Sequence, residues 1–235
     1  MNISLTTKNY LLWGFSCILM LAAIYMVFIY VPTEKHTGII QRIFYFHVPL
    51  AWISFLAFSV VFVFSILYLS RRSARWDNIA YASAEVGTVF TTLVLITGPI
   101  WAKPAWGIWW TWDARLTATL VLWLTYIAYL LVRSYATEPS QGARFGAVLG
   151  IVGFIDVPIV FLAVNLWRTQ HPTTIIFEGG LAPPMLLTLL VSIAAFTVLY
   201  VLLTMQSVSL KNVESEVNDL KSSWLDEEGS NLWKI

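Results

Sequence analysis

The sequence predicts an all-α polytopic membrane protein: a six-transmembrane-helix bundle with a tryptophan-rich external loop that forms a short interfacial helix. Two observations lead to this fold class. The 235 residues are 58% hydrophobic and only 11% charged, with a mean hydropathy of +0.74, so polar residues are too few to cover a water-soluble domain. Six apolar stretches also approach the roughly 20 residues that a helix needs to span a bilayer. These stretches are 10–31, 49–70, 79–99, 116–132, 145–167 and 183–205.

Each stretch has features that support a spanning helix. The first is longer than the apolar core of a signal peptide and lacks a small-x-small cleavage pattern, so we interpret it as a retained span. Pro49 favours the first turn of the second helix, where a missing N–H costs nothing. Pro104 and Gly107 argue against a long regular helix that starts before Ala105. We therefore predict a membrane domain over residues 1–206.

Beyond the sixth stretch, residues 207–235 form an acidic tail, which we predict to be a short helix or a disordered, solvated end. The fifth stretch holds Asp156, the one acid near mid-membrane. An acid at this depth is costly, so we interpret Asp156 as protonated or hydrogen-bonded between helices, or else as a partner-contact or proton-linked residue. Glu85 lies nearer the end of the third span and requires no role.

Six spans place both termini on one side of the membrane. The loops and tails of that side hold nine Lys and Arg residues against five in the three opposite loops, which predicts cytoplasmic termini. The opposite loops, 32–48, 100–115 and 168–182, contain all three histidines of the chain. The tryptophan-rich stretch therefore shares one face with every histidine.

Five of the twelve tryptophans fall within residues 101–113. Trp106, Trp109, Trp110 and Asp113 are spaced i, i+3, i+4 and i+7, which predicts one face of a short helix. An aromatic belt at the membrane surface is the alternative interpretation, since tryptophan is enriched there. A belt needs one or two indoles per helix end, whereas three adjacent indoles suit a flat hydrophobic ligand.

The stretch "WGIWWTWDARLT" resembles the WWD signature of the haem-handling proteins of cytochrome c maturation. With six spans and histidine-bearing loops on either side, the chain resembles the haem exporter protein C family from "RIFYFHVP" through the sixth span. The resemblance implies non-covalent, transient binding of haem b. The implied platform comprises Trp101, Trp106, Gly107, Trp109, Trp110, Trp112 and Asp113.

Two histidines flank this platform. Pro49 should hold His47 at the outer end of helix 2, and Pro172 disfavours helical backbone at His171, so both rings are expected to point into loops on the tryptophan side. A lone loop histidine is usually a polar surface residue, but two beside an aromatic face favour iron ligation. The resemblance implies that both are axial haem ligands, whereas His36 matches no family motif.

Haem also carries two propionates, which need cations or N–H donors. The candidates are Arg42, Lys103, Arg115 and Arg168. A lipid-headgroup or positioning contact is the alternative for each of them. We expect Asp113 to hold Arg115 or an indole N–H, because a carboxylate beside propionates would repel them.

The predicted function is haem presentation without enzymatic activity, since the chain has no P-loop motif. The resemblance implies a bacterial inner-membrane protein. Its implied partners are a periplasmic haem chaperone, the ATPase and membrane subunits of an ABC transporter, and a small single-span subunit. One alternative is a b-type haem electron-transfer subunit, which would carry histidine pairs within its helices. Another is a secondary transporter with a tryptophan-lined gate and broken helices near mid-membrane.

Overall fold

The computed structural model describes residues 3–35, 37–167, 171 and 180–232. Three residues named above, His36, Arg168 and Pro172, lie outside the described residues. The described part forms seven α-helices in chain order. They are α1 (Ile3–Tyr25), α2 (Phe44–Arg71), α3 (Ala74–Trp106), α4 (Ala114–Tyr135), α5 (Pro139–Gly153), α6 (Asp156–Leu166) and α7 (Pro183–Leu232).

The predicted fold class is confirmed, because the described residues contain six helical segments long and apolar enough to cross a membrane. The first segment continues α1 through a π-helical turn, Met26–Tyr30, and the second begins with a 3-10 helix, Ile39–Ile43. The fifth joins α5 and α6 across a turn at residues 154–155. Every predicted span therefore has a counterpart.

The hairpin of α2 and α3 is the centre of the bundle. Its helices approach closely at Gly87, where a Cβ would lie 2.7 Å from the Cβ of Ala57. Phe58 of α2 stacks on Tyr126 of α4 with ring centroids 3.6 Å apart, and both side chains are fully buried. Close packing of small residues and stacked rings holds helices together where lipid removes most of the hydrophobic driving force.

The bundle has two chemically different ends. The end that carries the α1–α2 and α3–α4 connections and His171 is called the tryptophan end. The opposite end, with the α2–α3 and α4–α5 connections, is called the tail end. Helix α7 continues from the bundle at the tail end as one helix to Leu232. Residues 207–232, predicted as a short helix or a disordered end, therefore extend α7.

Polar contacts near the tail end join three helices. Arg133 of α4 donates both guanidinium arms to the carboxylate of Asp77 in α3, each at 2.7 Å. Glu85 accepts hydrogen bonds from Ser207 and Lys211 of α7, each at 2.8 Å. The expectation that Glu85 requires no role is wrong, because it ties α7 to α3.

Candidate functional site

Helix α3 determines where the tryptophan-rich stretch begins. The helix continues through Pro99 and Pro104 to Trp106 and stops at Gly107, whose φ of +79° is left-handed. The N–H of Gly107 donates to the carbonyl of Lys103 at 2.9 Å, and the ammonium of Lys103 donates to the carbonyl of Gly107 at 2.8 Å. The prediction against a long regular helix that starts before Ala105 is wrong, because α3 runs from Ala74 to Trp106. Lys103, a predicted propionate candidate, caps α3.

Residues 107–113 form a loop, so the predicted short interfacial helix is absent from this described segment. Trp112 adopts a left-handed backbone with φ of +55°, a strained conformation for a bulky residue that is typical of functional sites. Asp113 ends the loop as the N-cap of α4. Its carboxylate accepts from the N–H of Leu116 and the hydroxyl of Thr111, each at 3.0 Å.

The indoles form two edge-to-face pairs. Trp101 packs against Trp106 with ring centroids 5.0 Å apart, and Trp110 packs against Trp112 at 5.6 Å. The predicted face of Trp106, Trp109 and Trp110 is therefore wrong as a continuous shelf. Trp109 and Trp112 are the exposed indoles, at 55% and 69%. An apolar ligand would meet these two first.

His47 lies inside α2, in its first turn. Because the 3-10 helix Ile39–Ile43 runs directly into α2, Pro49 falls beyond the first turn and inside the helix. The expectations that Pro49 starts the helix and that His47 points into a loop are therefore wrong. Proline is tolerated here because the N–H that it lacks would have donated only to a carbonyl at the very start of α2.

Four helices bring the candidate iron ligands and one arginine together. The Nδ1 of His47 lies 2.8 Å from the hydroxyl of Thr97 in α3. His171, which follows α6, and Arg115, in the first turn of α4, both interact electrostatically with His47. Asp113 in turn interacts electrostatically with Arg115. The sequence identified both histidines, Arg115 and Asp113, but missed Thr97.

Three buried N–H groups around this end have no hydrogen-bond partner in the described part of the chain. They are Nε of Arg42 and the indole Nε1 of Trp101 and Trp110. The guanidinium of Arg42 also lies over the ring of Phe28, 5.9 Å from its centroid. A buried donor without an acceptor costs about 1–3 kcal/mol, so these three N–H groups are donors that a bound acceptor could satisfy.

The residues present fit haem. A porphyrin needs axial donors for iron, apolar surface for its macrocycle and donors for its propionates. His47 and His171 can supply the axial donors, and the exposed indoles of Trp109 and Trp112 can supply the apolar surface. The unpaired donors, together with Arg115, can bind the propionates.

Asp156 lies outside this site. It begins α6, about 15 Å along the helix from Leu166, and its Oδ2 is buried without a hydrogen-bond partner among the described residues. The interpretation of Asp156 as a hydrogen-bonded contact between helices is therefore wrong for this oxygen.

We expect Asp156→Asn to leave haem absorbance unchanged, since the site is a helix length away. Absorption spectra of the purified variant and the unmodified protein, at equal protein concentration, would check this. A variant without the haem bands would mean that Asp156 acts on the site.

The fold and the site define a class: a helical membrane protein that gathers two histidines, an arginine and a tryptophan-rich loop at one end of a six-span bundle. The model of the family described as Heme exporter protein C matches residues 2–223. This chain belongs to that family.

Individual relatives agree with the family match. The chain is 37% identical to Heme exporter protein C of Bradyrhizobium diazoefficiens over 193 residues, 81% of this chain and 73% of the relative. It is 32% identical to Heme exporter protein C of Haemophilus influenzae over 199 residues, 83% and 80% of the two chains. A putative cytochrome c biosynthesis ccmC-like mitochondrial protein of Marchantia polymorpha is 33% identical over 170 residues, 72% of each chain.

Proposed function

We propose that this chain handles haem for cytochrome c maturation: it binds haem at its tryptophan end and presents it to a periplasmic haem chaperone. The observation that carries the proposal is the meeting of His47, His171 and Arg115 in one electrostatic neighbourhood. Three segments far apart in sequence meet there, and the family match supports haem as the cargo.

In the proposed mechanism, His47 and His171 would hold the iron of haem through their imidazole nitrogens. The exposed indoles of Trp109 and Trp112 cover the porphyrin and exclude water. The N–H groups of Trp101, Trp110 and Arg42 donate to propionate oxygens, together with the guanidinium of Arg115. These two imidazoles would orient the bound haem, and a chaperone would have to compete with them to remove it.

The chain acts as a non-enzymatic membrane subunit of an ABC-type haem release complex in the bacterial inner membrane. In this arrangement the tryptophan end faces the periplasm and both termini are cytoplasmic, as the Lys and Arg distribution favours. The other proposed subunits are the transporter's ATPase and membrane proteins and a small single-span protein. The extended α7 and the acidic residues 207–235 lie on the cytoplasmic side.

The test is the absorption spectrum of the protein purified from haem-replete cells, followed by titration with ferric haem. We expect a Soret band and the spectrum of iron with two imidazole ligands. A protein that purifies without haem and binds none on titration would overturn the proposal. The electron-transfer alternative would be favoured if the bound haem reduces an added electron acceptor and is not transferred to a chaperone.

The secondary-transporter alternative has one structural observation in its favour. The fifth span is broken between Gly153 and Asp156, where a transporter would place a substrate site. Asp156→Asn separates the two functions. A transporter would lose transport activity in this variant, whereas a haem-presenting protein would keep its haem absorption spectrum.

Removing the indole N–H at Trp110 should weaken haem binding and stabilise the haem-free protein. In Trp110→Phe a smaller aromatic ring remains while the unpaired buried donor disappears. A hydrogen bond to a charged group contributes about 1.5–3 kcal/mol, which corresponds to an affinity loss of about 10–100-fold. Ferric-haem titration and the melting temperature of the haem-free protein would measure the two effects.

Trp224→Phe is the matched control, since that indole is exposed on the α7 extension, away from the tryptophan end, and its replacement should leave haem binding unchanged. Equal affinities for Trp110→Phe and the unmodified protein would remove the propionate role of Trp110.

A further inference from the structure

The hydroxyl of Thr97 lies between the backbone of α3 and the ring of His47. Its oxygen is 2.7 Å from the carbonyl oxygen of Leu93, one helical turn earlier, and 2.8 Å from Nδ1 of His47. A Cβ at Gly98 would lie 3.4 Å from Cε1 of the same ring. The imidazole is therefore held against the face of α3 formed by residues 97 and 98.

Counting protons at Thr97 determines which nitrogen of His47 carries hydrogen. A hydroxyl has one proton to donate, and a carbonyl oxygen can only accept. An O···O separation of 2.7 Å from Leu93 therefore requires the Thr97 proton to point at that carbonyl, a common bond for threonine in membrane helices. The remaining contact is satisfied only when Nδ1 of His47 donates to Thr97. Neutral His47 then carries its lone pair on Nε2.

We propose that Thr97 is a positioning residue for haem capture: it fixes His47 in the Nδ1–H tautomer and leaves Nε2 free to bind iron. This inference rests on the proposed function, in which His47 is an axial ligand. Without an acceptor at Nδ1, neutral imidazole could place its proton on Nε2, where it would block the iron. The ring could also rotate away from α3.

The hydrogen bond has a second chemical consequence. Donation from Nδ1 raises the basicity of the opposite nitrogen and strengthens its bond to the metal, and such outer partners affect metal affinity by about 10–100-fold. A more basic imidazole stabilises ferric iron over ferrous iron. Thr97 therefore favours retention of ferric haem.

The experiment compares Thr97→Val, which removes the hydroxyl at nearly constant shape, with Thr97→Ser, which keeps it. Each purified full-length protein is titrated with ferric haem, and the midpoint potential of the bound haem is measured. We expect Thr97→Val to bind about 10–100-fold more weakly and to have a more positive potential. Thr97→Ser should resemble the unmodified protein.

Thr91→Val is the matched control on the same helix. The buried hydroxyl of Thr91 makes the same kind of backbone bond, to the carbonyl of Gly87 at 2.7 Å. Its removal tests the general cost of deleting such a hydroxyl from α3. If Thr97→Val fails to fold, Thr97→Ala provides the same test with less bulk.

The failing outcomes are distinct. Unchanged affinity and potential in Thr97→Val, or equal losses in Thr97→Val and Thr97→Ser, would overturn the role of Thr97. His47→Ala measured beside them separates this failure from failure of the proposed function. If His47→Ala also keeps full haem affinity, the ligand assignment itself is wrong. If only His47→Ala loses haem, the ligand stands and Thr97 does not position it.

Discussion

Replacing either His47 or His171 with alanine is expected to remove most of the haem that purifies with the protein. Changing a partner of a metal ligand already costs about 10–100-fold in affinity, so losing a ligand should reduce haem occupancy at least as far. The measurement is the Soret absorbance per mole of purified protein. Ferric-haem titration then separates weak binding from poor loading in the cell.

The chain offers a matched control, because it has only one other histidine, His36. His36→Ala should keep the haem content of the unmodified protein. Glycine at position 47 with added imidazole should restore the Soret band, since a free imidazole can occupy the space of the missing ring. Full haem content in either His47→Ala or His171→Ala would show that the residue is not a ligand.

The number of spans and their order could be predicted from the sequence because they depend on summed hydrophobicity over about 20 residues. Such a sum tolerates local errors. The same argument placed the histidines and the tryptophans at one end, because successive connections between spans lie on alternate sides of the membrane. The convergence of His47 and His171 follows from that topology, and their identification as ligands came from the family resemblance.

The helix ends could not be predicted in this way. The sequence placed the end of the third span before Pro104, whereas α3 continues through Pro99 and Pro104 to Trp106. Proline removes one backbone donor, and neighbouring helices and side chains compensate more readily in a membrane bundle than in an isolated helix. The decisive residue is Gly107, whose left-handed conformation stops the helix.

The spacing of the tryptophans predicted a helix, but the spacing of side chains does not show whether the backbone between them can form one. Trp106, Trp109 and Trp110 fit the helical template, but Gly107 ends α3 and Asp113 caps α4. Only residues 108–112 remain between these two signals. So short a segment cannot offset the cost of nucleating a helix, and the indoles pair edge to face instead.

Thr97 was missed although the sequence contains a signal for it. His47 and Thr97 each lie 25 residues from Arg72, the C-cap residue of α2 in the tight turn to α3. In an antiparallel hairpin, residues equidistant from the turn lie at the same level. The prediction that the second helix begins at Pro49, beyond His47, hid this symmetry.

The second large expected effect concerns the ion pair between α3 and α4, at the tail end of α3. Arg133→Met should destabilise the protein by about 3–5 kcal/mol, because it leaves the carboxylate of Asp77 buried without its partner. The Arg133 and Asp77 side chains are only 9% and 13% exposed. The guanidinium also lies over the ring of Tyr81, 4.6 Å from its centroid. Thermal unfolding in detergent, followed by circular dichroism, would measure the loss.

Two further variants separate the buried charge from the lost packing. Arg133→Met combined with Asp77→Leu should recover most of the stability, since an apolar pair of similar volume avoids the unpaired charge. Arg144→Met, at an exposed position of α5, should change stability little. Asp77 is about 30 Å along α3 from Thr97, so Arg133→Met protein that remains folded should keep its haem spectrum. An unchanged melting temperature would mean that this ion pair does not fix α3 against α4.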